Sequence, residues 1–152
     1  MRLALLIAVV AGAAIAVSTA SAEKPTREFL PIDDASYSGV CSFTVSRHVL
    51  VNNTYLTTFS DGTQLITGSF KERLTNDTTG TFIDFTGSGP IVITFNADGS
   101  STETDYGPQF ERPEGQLLLT TGPVVWTFDS AGNVTSYTQL GGTTRDVCTL
   151  LG

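Results

Sequence analysis

Basic and metal-ligating side chains are scarce in this chain of 152 residues, which has one His, two Cys and only eight Lys and Arg in total. The lone imidazole, His48, and the two cysteines cannot supply the clustered donors of a zinc site. No serine sits in a G-x-S-x-G elbow, and a Ser–His–Asp site needs a base held beside its nucleophile. Calcium requires carboxylates gathered in one loop. Asp33–Asp34, and Asp98–Gly99–Ser100 with Glu103 and Asp105, come nearest, but neither follows the EF-hand pattern. No catalytic residue, metal or cofactor is therefore expected. The shortage of bases against 15 Asp and Glu leaves a formal net charge of −7, which repels phosphate backbones and excludes nucleic acid as a partner. After residue 22 no apolar run approaches spanning length, so no membrane span is expected there.

What is present starts at the N-terminus. Met1–Arg2 carry a positive charge, Leu3 to Val17 are apolar or small, and Ala20–Ser21–Ala22 fits an A-x-A cleavage signal. The run from Leu3 to Val17 has 15 residues, short of the roughly 20 needed to cross a bilayer. Residues 1–22 thus read as a signal peptide, and the rest as an exported, extracellular and monomeric protein. Glu23 stands where a lipoprotein would need Cys. Removing Arg2 leaves seven Lys and Arg against 15 Asp and Glu, a net charge of −8 that serves solubility.

In an oxidising compartment the pair Cys41 and Cys148 is expected to form one disulfide. Closing a loop with 106 residues between the cysteines should stabilise the domain by roughly 4–5 kcal/mol. The three sequons at Asn52, Asn76 and Asn133 are what a Thr-rich chain produces by chance.

Residues 23–39 read as an irregular polar arm, interrupted by Pro25 and Pro31, in which Phe29, Leu30 and Ile32 seek a groove. Residues 40–152 read as a single β-domain. Candidate strands are Val40–Val49, Tyr55–Ser60, Gln64–Thr75, Gly80–Thr86, Ile91–Asn96, Ser100–Tyr106, Gln116–Thr121, Val124–Asp129, Val134–Leu140 and Asp146–Leu150. Short links such as Ser60–Asp61–Gly62 and Ala97–Asp98–Gly99 are hairpin chemistry and force neighbouring strands to run antiparallel. The expected fold is all-β, an up-and-down meander closed or nearly closed into a barrel, with a β-sandwich as the alternative. Cysteines on the first and last candidate strands favour closure.

Alternation groups Ile91, Ile93 and Phe95 on one face, and Val124, Trp126 and Phe128 on another. It also turns Asp84 outward with Phe82, away from Ile83 and Phe85. The one long connection, Gly107 to Gly115, contains Pro108, Pro113 and an exposed-looking Phe110. Long loops carry function more often than short ones.

The segments His48–Phe59, Thr67–Gly68, Leu74–Asn76 with Thr79–Gly80, Ser88–Pro90, Asp98–Ser100 and Arg145–Cys148 resemble a group of small secreted two-cysteine proteins of actinomycetes. The resemblance covers most of the chain beyond residue 22. It implies a bacterial exported β-domain and no particular activity.

A small barrel is either filled by side chains or holds one small ligand. Phe85, Phe95, Tyr106, Phe110, Trp126 and Tyr137 are the candidate residues for lining a cavity, and the same residues would form a plugged core. The leading expectation is a non-catalytic protein binding a small apolar or amphiphilic molecule, gated by the loop from Gly107 to Gly115. The alternatives are a module for interaction with the cell envelope or an extracellular protein, and a barrel-type cyclase or isomerase.

Overall fold

A computed structural model of the protein describes residues 23–152; the expected signal peptide, residues 1–22, lies outside the described residues. Twelve strands and one short helix follow in order: β1 Thr26–Phe29, β2 Ala35–Tyr37, β3 Val45–Thr58, β4 Gln64–Asn76, β5 Phe82–Ser88, β6 Ile91–Phe95, β7 Ser101–Asp105, β8 Gln109–Glu111, β9 Leu118–Thr120, β10 Val124–Phe128, β11 Val134–Gln139, β12 Thr144–Asp146 and α1 Val147–Leu151. All pairings are antiparallel. The large sheet runs β1-β3-β4-β6-β7-β10-β11, with β2 also on β3 and β5 also on β4; a small sheet runs β12-β9-β8.

No sheet closes, so the expected barrel is corrected to a sandwich or open sheet. The cause lies in β4, which is long enough to serve two neighbours. Its Ser69–Thr75 stretch pairs with β5 and its Gln64–Ile66 stretch with β6. The chain therefore forks at β4. One branch continues through β6 and β7 to β10 and β11. On the other, Ser88 N donates to Pro108 O at 3.1 Å, leading from the end of β5 towards β8. Between the branches the molecule stays open.

The disulfide Cys41–Cys148 is present, with Cα atoms 5.3 Å apart. It does not join first and last strands. Cys41 lies in a bend between β2 and β3, and Cys148 lies in α1. The expected strand Asp146–Leu150 is a helix because Asp146 caps it, accepting from Thr149 N at 2.7 Å. One turn of helix then brings Val147 and Leu151 to the same buried face. With Val45, Leu74, Leu117 and Leu119 they form the core, and Cys41, Phe43, Ile83, Phe85 and Phe110 pack against it.

Two further expectations change. Val40–Val49 and Tyr55–Ser60 are not separate strands, because β3 runs through with a register shift between Val49 and Val51. A bulge absorbs the extra residue where a turn was expected, and no Gly is there to supply positive φ. The arm, residues 23–39, is not wholly irregular. It lays β1 and β2 along the edge of β3. Asp34 fastens it, accepting from Val49 N at 2.7 Å and meeting His48 Nδ1 at 2.6 Å. His48 is thus an exposed surface residue serving the arm. Asp84 points outward as alternation requires and takes Arg73 Nε at 2.7 Å.

Candidate functional site

The hairpin from β6 to β7 fixes the chemistry of one sheet face. Ile93 pairs with Glu103 and Ile91 with Asp105. Across β7 the register sets Trp126 opposite Glu103 and Val124 opposite Asp105. On β11, Tyr137 stands opposite Trp126. Because paired residues share a face, two carboxyls sit in the middle of an apolar surface.

The third carboxyl arrives from the fork. Gly107 (φ 89°) turns the chain out of β7, and a Cβ there would lie 2.5 Å from Ser88 O. Gly89 (φ 110°) makes the reciprocal turn into β6, where a Cβ would lie 1.9 Å from Tyr106 O. Only glycine allows two backbones to cross at that distance and in that conformation. The crossing carries β8 over the sheet and sets Glu111 against Asp105. The loop from Gly107 to Gly115 is therefore no lid, since it holds β8, and Phe110 packs inward 5.6 Å from the Tyr37 ring.

The result is a cleft of about 400 Å³ lined by Ile91, Glu103, Asp105, Gln109, Phe110, Glu111, Arg112, Trp126, Phe128 and Val134. Asp105 is 3% exposed and Glu111 5% exposed. Glu111 Oε2 accepts from Trp126 Nε1 at 3.1 Å. Asp105 Oδ1 and Glu111 Oε1 are buried with no donor from the rest of the protein. A proton shared among the carboxyls satisfies such oxygens when no ligand is bound.

That geometry sets the acidities. Burial, and then the neighbouring charges of Glu103 and Glu111, push Asp105 up to about 9. Burial raises Glu103 and Glu111 above the usual carboxylate range as well, although hydrogen bonds with Asp105 oppose the rise in both. Tyr137 is raised by burial and then by the charges of Glu111 and Asp105. With all three carboxyls raised and Asp105 most of all, the cluster as a unit holds at least one proton at neutral pH. Trp126 packs 4.6 Å from the Tyr137 ring and stacks with Phe128 at 6.4 Å, so one wall of the site is aromatic.

Of the six candidate lining residues, Phe110 and Trp126 line the cleft, and Tyr137 supports Trp126 from behind. The other three do not line it. Phe85 packs against the core, because it shares the face of Ile83. Phe95 is 54% exposed at the end of β6, beyond the reach of β8, and Tyr106 is exposed at the fork. The sequence offers Glu103 and Asp105 only as an approximation to a calcium site, and Glu111 only as part of the long connection. Among the described residues, no group of three or more His, Cys, Asp or Glu is arranged to hold a metal ion. Nor is any helix among them long and apolar enough to cross a membrane. Comparison of the chain with known protein families, with curated proteins and with solved structures found no match.

Proposed function

We propose that the protein is an exported, non-catalytic carrier that takes a small amphiphilic molecule into the cleft between β7, β8 and β10. The observation that carries this reading is the cleft's two-sided wall. Phe110, Trp126 and Phe128 offer apolar surface, Asp105 and Glu111 each offer a buried oxygen without a donor, and the half-buried Glu103 adds a third carboxyl. A concave, largely apolar site with a few convergent polar groups is the usual form of a small-molecule site. The disulfide agrees with export, as does the resemblance to small secreted proteins of actinomycetes.

Trp126 is the chain's single Trp, so its fluorescence reports on this cleft alone. Native mass spectrometry of protein from culture medium should show a mass excess that disappears on unfolding. Titrating stripped protein with the recovered molecule should then change the Trp126 emission. A clean mass, together with no Trp126 response to cationic, neutral and anionic amphiphiles, overturns the reading.

One observation favours a second reading. Asp105 holds a proton at neutral pH beside Glu111, and an adjacent acid and base are what an isomerase or cyclase uses. Recovery of the bound molecule chemically unchanged after prolonged incubation supports the carrier. Its conversion supports the enzyme.

A further inference from the structure

The cleft is built to receive a positive charge. Asp105 Oδ1 and Glu111 Oε1 lack donors although both residues are more than nine-tenths buried and line the cavity. What such oxygens lack is N–H or O–H hydrogens and full charge compensation, since three carboxyls share the cleft wall with the single guanidinium of Arg112. An ammonium group brings both, with three donors on one atom. The stacked rings of Trp126 and Phe128 add π-faces that favour a cation and the methylene groups next to it. A neutral alcohol brings one donor and no charge, and an anion would face three carboxyls.

The walls also say where an apolar tail would go. A second cavity of about 110 Å³ shares Ile91 and Gln109 with the cleft and is otherwise walled by groups such as Leu30, Ile32, Ile66 and Phe70. Leu30 and Ile32 belong to the N-terminal arm, which therefore covers this apolar end. Carboxyls at one end and aliphatic side chains at the other match a molecule with a charged head and a hydrocarbon tail.

We propose that the cleft binds the protonated primary amine of a small amphiphile, its ammonium held by Glu103, Asp105 and Glu111 and its chain directed past Ile91 toward the arm. This inference rests on the reading of the cleft as a ligand site. The charged and titratable groups around the ammonium would be Glu103 and Asp105 from β7, Glu111 from β8, Arg112 just after it, and Tyr137 from β11. Arg112 lines the cleft as well, and its charge already offsets part of the acidic cluster at Glu111. It is exposed, with its guanidinium 5.5 Å from the Tyr37 ring.

Binding then becomes an exchange. The resting site carries a proton on Asp105, and an arriving ammonium takes over the role of that proton. One R–NH3+ goes in and one H+ comes out to solvent, so charge balances and no bond to carbon changes. Affinity should consequently rise by up to about tenfold per pH unit between pH 6 and 8. The amine keeps its own proton throughout this range, as an alkylammonium titrates near the lysine value of about 10.4.

The test is isothermal calorimetry on stripped wild-type protein at pH 7.5, with octylammonium, octanol and octanoate in phosphate and in Tris, and with calcium ion in Tris alone. Octylammonium should bind at least tenfold more tightly than octanol. Its apparent enthalpy should differ between the two buffers by an amount corresponding to release of close to one proton. Octanoate and calcium should not bind. Asp105→Asn, which keeps the shape of the protonated acid, should abolish the buffer difference and flatten the pH dependence. Equal binding of octanol and octylammonium, a preference for octanoate, tight calcium binding, or no proton release in the wild type each overturns the ammonium proposal. Any of the first three would still leave a ligand site. Failure of all four probes, with no change in Trp126 emission, removes the site itself. The wild-type proton count decides the matter even where the variant does not fold.

Discussion

Two buried acidic regions in this protein look alike by burial alone and differ in everything else. Glu72 on β4 is 0% exposed, and neither carboxyl oxygen has a hydrogen-bond partner. Burial pushes it up to about 7, held back by the charges of Arg47 and Arg112. Arg47 Nε lies 3.7 Å away, and Glu72 is not part of the cleft wall. Asp105 and Glu111 are buried to a similar degree, yet they border open space, and each is packed against another acid. A buried carboxyl with its own cation and no access is structural. Buried carboxyls packed against each other on a cavity wall, where they outnumber the one arginine, are the arrangement on which the ammonium proposal rests. The lesson is that desolvation marks both, and only access and counter-charge separate them.

The hardest test of that contrast is Trp126→Ala. It removes the aromatic wall and the donor to Glu111 together, and should cost about 3–5 kcal/mol by denaturant unfolding. A cost under about 1 kcal/mol would mean the cleft wall is not part of the packed fold. Next comes Arg47→Met, which strips Glu72 of its cation. Full loss of a buried partner is severe, but Glu72 can escape by taking a proton. The expected loss is therefore about 2–3 kcal/mol at pH 8 and distinctly smaller at pH 5. Equal losses at both pH values would show that Glu72 does not depend on Arg47.

Third is the pH profile of thermal stability. A carboxyl raised by folding stabilises the protein while both folded and unfolded forms hold the proton, and that stability is lost as pH climbs through the folded value. For Glu72 the loss runs from 4.5 to about 7, and for Asp105 from 3.8 to about 9. Asp34, Asp61, Asp84, Asp98 and Asp129 work in the opposite sense. Their pKa values are lowered by hydrogen bonds, so their contribution is present above 3.8 and fades below it. The melting temperature should peak near about pH 4–5 and fall toward pH 9. Asp105→Asn should raise it by roughly 5 °C at pH 9 and by about 1 °C or less at pH 5. A flat profile in the wild type would show that these acids are solvated. The smallest effect belongs to the exposed ladder. Asp84→Ala breaks the contact with Arg73 and should move the melting temperature by no more than about 1 °C.

Much of this was legible before any coordinates. The hairpin signals, the disulfide partners, the outward turn of Asp84 and the shared face of Val124, Trp126 and Phe128 all follow from local chemistry. The acidic cleft was half legible. The turn Asn96–Ser100 pairs Phe95 with Ser101, which forces Ile93 onto Glu103 and Ile91 onto Asp105. An apolar face on β6 therefore already demanded that two acids be buried. Glu111 could not be found this way. It reaches the site through the crossing of Gly89 and Gly107, a contact between distant backbones that no local pattern encodes. The same fork explains why a meander with short links fails to close into a barrel. Strand periodicity is blind to one strand serving two partners.

The Cys41–Cys148 bond has a consequence beyond stability. The covalent ring it closes contains every residue of the cleft wall, from Ile91 to Val134. The exposed turns at Asp98–Gly99 and Ala131–Gly132 are where an extracellular protease would cut first. One cut there opens the ring and releases nothing, because both halves remain tied through sulfur. A nicked molecule is still one body, its two halves held by one covalent bond. Where proteases are present, the lifetime of the fold is set by the second cut or by a reductant, and not by the first wound.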